Sequence, residues 1–221
     1  MKFKINRVVK FLILSDLVFW SGWGLITPIF ALYIVGKIEG GSAFVVGIAA
    51  AVYLITRSIL RMPASIFLDK CFGEKDDYWF LTIGLFVASV VPFGFIFATS
   101  PWHIYILQAI HAVGMAISVA GWSPIFTRHI DKGQEATQWG LSNSSLGVGV
   151  GVMGLVGGWT VTRFGFNPIF IGVGIMGLIG VILLLCLKND IKGVFDKGFK
   201  MDFRDIFDGE ENDSSIETGS H

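Results

Sequence analysis

Charged residues are scarce in this sequence. Asp, Glu, Lys and Arg make up 15% of the 221 residues, whereas 53% are hydrophobic and the mean hydropathy is +0.67. Soluble domains carry about 25% charged residues, so this deficit indicates a chain that lies in a lipid bilayer. The 17 basic and 17 acidic residues cancel, and most lie in the first ten residues, a few short loops and the last thirty-four. We therefore expect no nucleic-acid partner.

Cysteines and enzyme motifs are also scarce. The only cysteines are Cys71 and Cys186, which form no CxxC spacing, so neither a disulfide framework nor a metal centre is indicated. The sequence lacks the GxxxxGK[ST], HExxH and GxSxG motifs and has no paired carboxylates within its apolar segments. Its Gly-rich run follows no strand and is no dinucleotide fingerprint. We expect no enzyme, cofactor or metal site.

Long hydrophobic runs fill the rest of the chain. A helix needs about 20 mostly apolar residues to cross the hydrocarbon core, and six segments are long enough. The runs are continuous rather than alternating, which predicts an all-α bundle of six transmembrane helices rather than a barrel. The predicted domain covers 11–188, and its spans are about 11–35, 43–68, 78–99, 102–127, 137–162 and 167–188.

The distribution of lysine and arginine predicts the orientation of these spans. Basic residues concentrate in 1–10, in the loops at 69–77 and 128–136, and after the last span. Only Lys37 and Arg163 lie on the other side. By the positive-inside rule, both termini are predicted to be cytoplasmic. We expect a multi-pass protein of the cell (cytoplasmic or plasma) membrane.

The segment 189–221 differs from the rest of the chain. Its first part has phenylalanine and isoleucine at roughly helical spacing with basic residues between them, and its end is acidic and polar. The pattern predicts a cytoplasmic tail that lies on the membrane surface and then becomes disordered.

Two arginines interrupt the second apolar segment. Arg57 and Arg61 are four residues apart and Tyr53 precedes Arg57 by the same spacing, so the three share a helix face. A charge within a span costs roughly 2.5 to 3.5 kcal/mol, which predicts a partner or a wet interior. Asp16 enters the first segment at an overlapping depth, within reach of Arg61. The arginines either face a cavity and an anionic solute, or form a static clamp or snorkel to the headgroups.

Polar side chains within the fourth and fifth segments are further candidates for a solute cavity. Gln108 and His111 are one turn apart in the fourth segment, and Asn143 lies at the start of the fifth. His111 and Asp16 are the titratable interior candidates for proton coupling. The alternative is that these groups form hydrogen bonds between packed helices.

The fifth segment is rich in glycine. Six glycines fall within 147–158, and they include two small-xxx-small pairs, Gly147 with Gly151 and Gly154 with Gly158. Such pairs let another helix approach closely, either as a fixed packing seam or as a surface that slides.

The turn after the second segment carries a family resemblance. It reads SIFLDKCFGEK and resembles the signature GxLaDrxGrk of the major facilitator superfamily. Asp69 and Lys70 match the aspartate and the basic residue of that signature. Ser65 replaces its first glycine, and Gly73 arrives one position late.

Other segments are similar to the amino-terminal half of that superfamily. The first segment, GWGLITPIFALYIV, and the Gly-rich fifth segment resemble its first and fifth helices. The fourth segment reads QAIHAVGMA, in which Gln108 stands where the family has an arginine and Ala112 where it has a glycine.

The resemblance covers about 11–188 and implies a secondary transporter that moves a solute by alternating access. It places Asp69 and Lys70, with Gly73 and Arg61, in a cytoplasmic gate. Family members usually have two six-helix halves related by an axis along the membrane normal, with substrate bound between them. We therefore expect a half-size carrier that pairs as a parallel homodimer or with a second six-helix half on another polypeptide. A truncated chain that transports nothing is a further alternative.

A competing class is a non-transporting membrane subunit. Such an accessory or scaffold protein would dock a partner through the Gly-rich fifth helix. The pairing of Arg57 discriminates between the two classes, because a carrier should face it into a cavity whereas a scaffold should seal it in an ion pair. The solute's identity and the mode of transport are not encoded in any motif.

Overall fold

The computed structural model describes residues 5–70, 73–188 and 190–191. Within these ranges the chain forms seven α-helices and no strand. All of them except α2 are long and apolar enough to cross a membrane, so the predicted all-α fold with six candidate spans is confirmed. The predicted tail at 189–221 lies outside the described residues except for 190–191, as do residues 1–4 of the amino-terminal tail. The helices are α1 (Arg7–Ile26), α2 (Phe30–Lys37), α3 (Ala43–Lys70), α4 (Glu74–Phe95), α5 (Pro101–His129), α6 (Glu135–Phe164) and α7 (Asn167–Leu185).

The segment predicted as one helix at 11–35 is divided into α1 and α2. The break falls at Pro28, whose ring nitrogen has no hydrogen to donate to a carbonyl one turn earlier. On either side of Pro28, the Thr27 amide and hydroxyl both donate to the Trp23 carbonyl, at 3.0 and 2.7 Å, and the Ile29 amide donates to the Ile26 carbonyl at 2.9 Å. The chain thus continues as a short second helix after a turn.

Four helices form the body of the bundle. In that body α4 packs between α5 and α7, and α1 packs on α7. Glycines allow the closest approaches: a Cβ on Gly84 of α4 would collide with the backbone of α5 at Gly114 and Ser118. Small residues let helix backbones pack directly in a membrane, where apolar burial drives little association between helices.

The remaining two long helices are attached to the outside of this body. α3 packs mainly on α5, and α6 packs mainly on α1. Only 11% of the apolar window of α3 and 6% of that of α6 is buried, against 44% or more for the other four spans. α3 and α6 therefore each present a long, uncovered apolar face.

Candidate functional site

Three aromatic rings from three helices form a stack where α1, α3 and α5 meet. The indole of Trp23 on α1 lies 4.0 Å from the imidazole of His111 on α5, with the planes inclined by 13°. The phenol ring of Tyr53 on α3 lies 4.9 Å from the same imidazole, inclined by 17°. We call these three residues the ring stack. Stacked aromatic pairs contribute about 0.5 to 1.5 kcal/mol beyond their buried area, so the stack ties three helices together.

Arg57 lies at the Tyr53 end of the ring stack. One guanidinium nitrogen donates to the Tyr53 hydroxyl at 3.3 Å, and the guanidinium carbon is 5.8 Å from the centre of the same ring. Within the described ranges Arg57 forms no ion pair. The phenol accepts a hydrogen bond from the guanidinium but does not neutralise its charge.

The position of Arg57 along α3 bears on whether its side chain reaches the lipid headgroups. α3 has 28 residues, about 42 Å at 1.5 Å per residue. Arg57 lies half way along it, about 20 Å from either end. Half of the hydrocarbon core is about 15 Å thick, so a helix centred in the membrane would carry Arg57 near the midplane. An unpaired charge at that depth needs water or a counter-ion.

The ring stack holds polar nitrogens that have no partner. Both imidazole nitrogens of His111 and the indole nitrogen of Trp23 are buried without a hydrogen bond, and His111 as a whole is 4% exposed. Each buried unsatisfied group costs about 1 to 3 kcal/mol. Gln108, one turn along α5, is also buried. This concentration of unsatisfied donors and acceptors beside an unpaired arginine is the candidate site.

Not every predicted cavity residue is part of this cluster. Tyr53, Arg57 and His111 lie together, and Gln108 is next to them on α5. Asn143 is exposed on α6, and no contact joins it to the ring stack within the described structure. Trp23 was not predicted as a site residue, because a tryptophan in an apolar run carries no charge signal.

The Asp16–Arg61 pair is not formed. Asp16 is partly buried on α1, on the face that also carries Trp20 and Trp23, and no ion pair in the described residues includes it. Arg61 is exposed on α3, one turn from Arg57 towards the Lys70 end. Similar depth was not sufficient, because α3 packs mainly on α5.

The four glycines predicted as a packing seam behave differently from one another. A Cβ on Gly154 would make ordinary contact with Gly24 and Pro28, whereas Gly147, Gly151 and Gly158 have no atom within 4 Å of such a Cβ. The close contact with α1 is made by Gly157 instead, where a Cβ would collide with the Leu25 carbonyl. Three of the four therefore lie on the uncovered face of α6.

The predicted gate residues lie at the junction of α3 and α4. Asp69 and Lys70 end α3 and are exposed, and Gly73 caps α4 with φ of +139°, a conformation that favours glycine. Cys71 and Phe72 lie outside the described residues.

One ion pair and one close approach of a histidine to a carboxylate, neither predicted from the sequence, lie near this junction. Arg128 donates to the buried carboxylate of Asp77, and the His129 ring nitrogen is 3.1 Å from a Glu74 carboxylate oxygen. These contacts could have been predicted from two features of the sequence. Acidic residues lie in the first turn of α4, and basic residues lie in the last turn of α5.

A separate cavity of about 380 Å³ opens at the other end of the bundle. None of the predicted site residues lines it. Its lining comes from the end of α2, the segment before α5 and the turn between α6 and α7, and includes Tyr33, Lys37, Phe166 and Asn167.

Comparison with known proteins identifies the family. A search of curated proteins found no match to this sequence. The family model described as Major Facilitator Superfamily matches residues 12–206, which include nearly all of the six candidate spans. Members of this family are transporters of small solutes, and an all-helical chain with six candidate spans agrees with that match. The chain therefore belongs to the Major Facilitator Superfamily.

Proposed function

We propose that this protein is a secondary transporter that carries a small solute by alternating access, with the solute bound at the ring stack and Arg57. The observation that carries the proposal is an unpaired guanidinium half way along the membrane-spanning helix α3, beside buried nitrogens that lack hydrogen bonds. A purely structural arginine at this depth would be expected to have a carboxylate partner. A bound solute supplies the missing contacts.

The residues around the stack define the role of each group in this proposal. Arg57 favours an anionic solute, and Tyr53 orients its guanidinium through the 3.3 Å hydrogen bond. Gln108 offers a further polar contact, His111 lines the site between Trp23 and Tyr53, and Asn143 lies on the approach from α6. Asp16 and His111 are the groups proposed to bind and release protons if solute transport is coupled to proton transport.

The uncovered faces of α3 and α6 support a second six-helix half, which we propose is a second copy of this chain. Under a two-fold axis along the membrane normal, α3 of one copy faces α6 of the other, and the contact occurs twice. An α-helix turns by 100° per residue, so four glycines of α6 lie within about 20° of one line along the helix. A Cβ added to any of these four would have no atom within 4 Å. These glycines are Gly140, Gly147, Gly151 and Gly158.

The remaining assignments follow the family and the basic-residue pattern. Asp69, Lys70 and Gly73, with Arg61, form the cytoplasmic gate, and both termini lie in the cytoplasm of a cell whose plasma membrane holds the protein. Three of these side chains are exposed in this conformation and can therefore contact a second six-helix half: Asp69, Lys70 and Arg61. The scaffold alternative is disfavoured, because Arg57 is not sealed in an ion pair.

Uptake by proteoliposomes tests the carrier. Purified protein is reconstituted and screened for uptake of labelled organic anions, and the variant Arg57→Ala is compared with Arg163→Ala. Arg163 is the matched control because it is exposed at the far end of α6. We expect Arg57→Ala to abolish uptake and Arg163→Ala to retain it. Equal uptake by both variants would refute the site, and no uptake of any solute by the wild-type protein would support the scaffold.

A further inference from the structure

We infer that the site binds a flat aromatic carboxylate in the position that the His111 imidazole occupies in this conformation. The inference rests on the site of the proposed function and names its solute class. The imidazole is a planar ring held between two aromatic faces, those of Trp23 and Tyr53. It fills a flat slot without forming a hydrogen bond through either nitrogen.

The slot favours a flat ligand because both of its walls are aromatic rings. The planes of Trp23 and Tyr53 are inclined by only 13° and 17° to the ring between them. A planar aromatic ligand reproduces these stacking contacts when His111 turns away to another rotamer. A puckered saturated ring of the same size is too thick to contact both walls in this way.

The polar groups around the slot favour a carboxylate. The Trp23 indole nitrogen only donates hydrogen bonds, and so does the Arg57 guanidinium, which directs one nitrogen to Tyr53 and has no carboxylate partner among the described residues. A carboxylate only accepts hydrogen bonds and pairs with guanidinium in a bidentate geometry. A cationic ligand would be repelled by the Arg57 guanidinium.

His111 then acts as a plug that the ligand displaces. Because its two nitrogens are unsatisfied in the slot, moving the ring to a site with water or a polar partner recovers hydrogen bonds. The plug lowers the apparent affinity in proportion to the fraction of molecules in which it fills the slot. Removing the imidazole should therefore strengthen binding of a flat carboxylate, whereas removing a residue that contacts the ligand directly should weaken it.

Binding to the purified full-length protein tests this inference. The probes are benzoate, nicotinate and indole-3-carboxylate, compared with cyclohexanecarboxylate, which is not flat, and benzylammonium, which is cationic. We expect the three flat carboxylates to raise the thermal unfolding temperature and the two comparison compounds not to do so at equal concentration. Arg57→Gln should remove the shift, and Arg163→Gln should retain it. No shift with any flat carboxylate, or an equal shift with cyclohexanecarboxylate, would overturn the inference.

The variant His111→Ala distinguishes a plug from a structural histidine. We expect it to lower the dissociation constant for benzoate by about tenfold, the change produced when the plug fills the slot in nine of ten molecules. Weaker or unchanged binding would refute the plug. If benzoate binds in an Arg57-dependent manner but does not cross proteoliposomes, the inference stands and the carrier proposal fails. If a cation is transported instead, the carrier stands and the inference fails.

Discussion

At the scale of single residues, the polar side chains within the membrane divide into satisfied and unsatisfied groups. The hydroxyls of Ser15 and Tyr78 donate to carbonyls of α7 at 2.9 and 3.2 Å, and that of Tyr33 donates to the Phe95 carbonyl at 2.6 Å. These three bonds hold helices together. The nitrogens of His111 and Trp23 have no such bonds, and unsatisfied buried groups in a native structure call for an explanation. A ligand that completes their hydrogen bonds provides one.

The sequence predicted part of this residue pattern. Spacing by four placed Tyr53 and Arg57 on one face, and charge within an apolar run marked Arg57 as unusual, both of which follow from local chemistry. Trp23 was missed because its role depends on which helix lies opposite, and no local signal contains that information. The Asp16–Arg61 pair is not among the ion pairs of the described residues, and depth along a helix does not reveal which helix lies opposite.

The Asp77–Arg128 pair makes a prediction about stability. The Asp77 side chain is 3% exposed and that of Arg128 is 50% exposed, so Arg128→Gln leaves a buried carboxylate without its charged donor. We expect a loss of about 1 to 3 kcal/mol in the free energy of unfolding, measured by thermal or denaturant unfolding in detergent. The double variant Asp77→Asn with Arg128→Gln should recover part of the loss, because it removes the uncompensated charge. A double variant less stable than Arg128→Gln alone would contradict this account.

At the scale of helices, α6 has two faces that use glycine in different ways. Gly157 lies against the backbone of α1, whereas Gly151 has no neighbour within 4 Å of an added Cβ. The sequence revealed the abundance of glycine but not this division, because both faces have small-residue spacing. Similarly, four prolines lie within the predicted spans, but only Pro28 interrupts its helix. Pro63, Pro92 and Pro124 lie inside continuous helices.

Matched alanine variants test the two faces of α6. We expect Gly157→Ala to lower the free energy of unfolding by about 1 to 3 kcal/mol, because its methyl group collides with the Leu25 carbonyl. Gly151→Ala should leave the stability of the single chain unchanged or raise it by up to about 1 kcal/mol, since alanine favours helix more than glycine does. Thermal unfolding of both variants in detergent gives the comparison. Equal destabilisation would show that the Gly151 face is covered within the chain.

At the scale of the whole molecule, the fold was largely predictable because its signals are long and redundant. Each span needs only length and apolar composition, and six such helices are present in the described chain. The association of the chain with a second half was not predictable in the same way, because an apolar helix face can be covered equally well by lipid or by another helix. The four-helix body is well buried, and the two outer helices are the parts whose environment depends on what surrounds the chain.

The proposed pairing of α3 with α6 of a second copy predicts a specific cross-link. Ile55 is 58% exposed on α3, and Gly151 lies at a similar depth on the uncovered face of α6. Cys71 and Cys186 are first replaced by serine. One tagged copy then carries Ile55→Cys, a second copy with a different tag carries Gly151→Cys, and the two copies are co-expressed. We expect a short bifunctional maleimide to join the two tags in native membranes. The control replaces Gly151→Cys by Ile182→Cys on α7, which is 57% exposed but lies on the body of the bundle.

The cross-link separates the possible sources of the second half. Because a two-fold axis along the membrane normal brings α3 to α6 of the partner twice, the tagged dimer should form with Gly151→Cys and not with Ile182→Cys. Native mass spectrometry of the untreated protein should then show a discrete dimer. A monomer that forms neither cross-link would refute the homodimer. Any transport activity would then need another six-helix half to cover α3 and α6, because only 11% and 6% of their apolar windows are buried within a single copy.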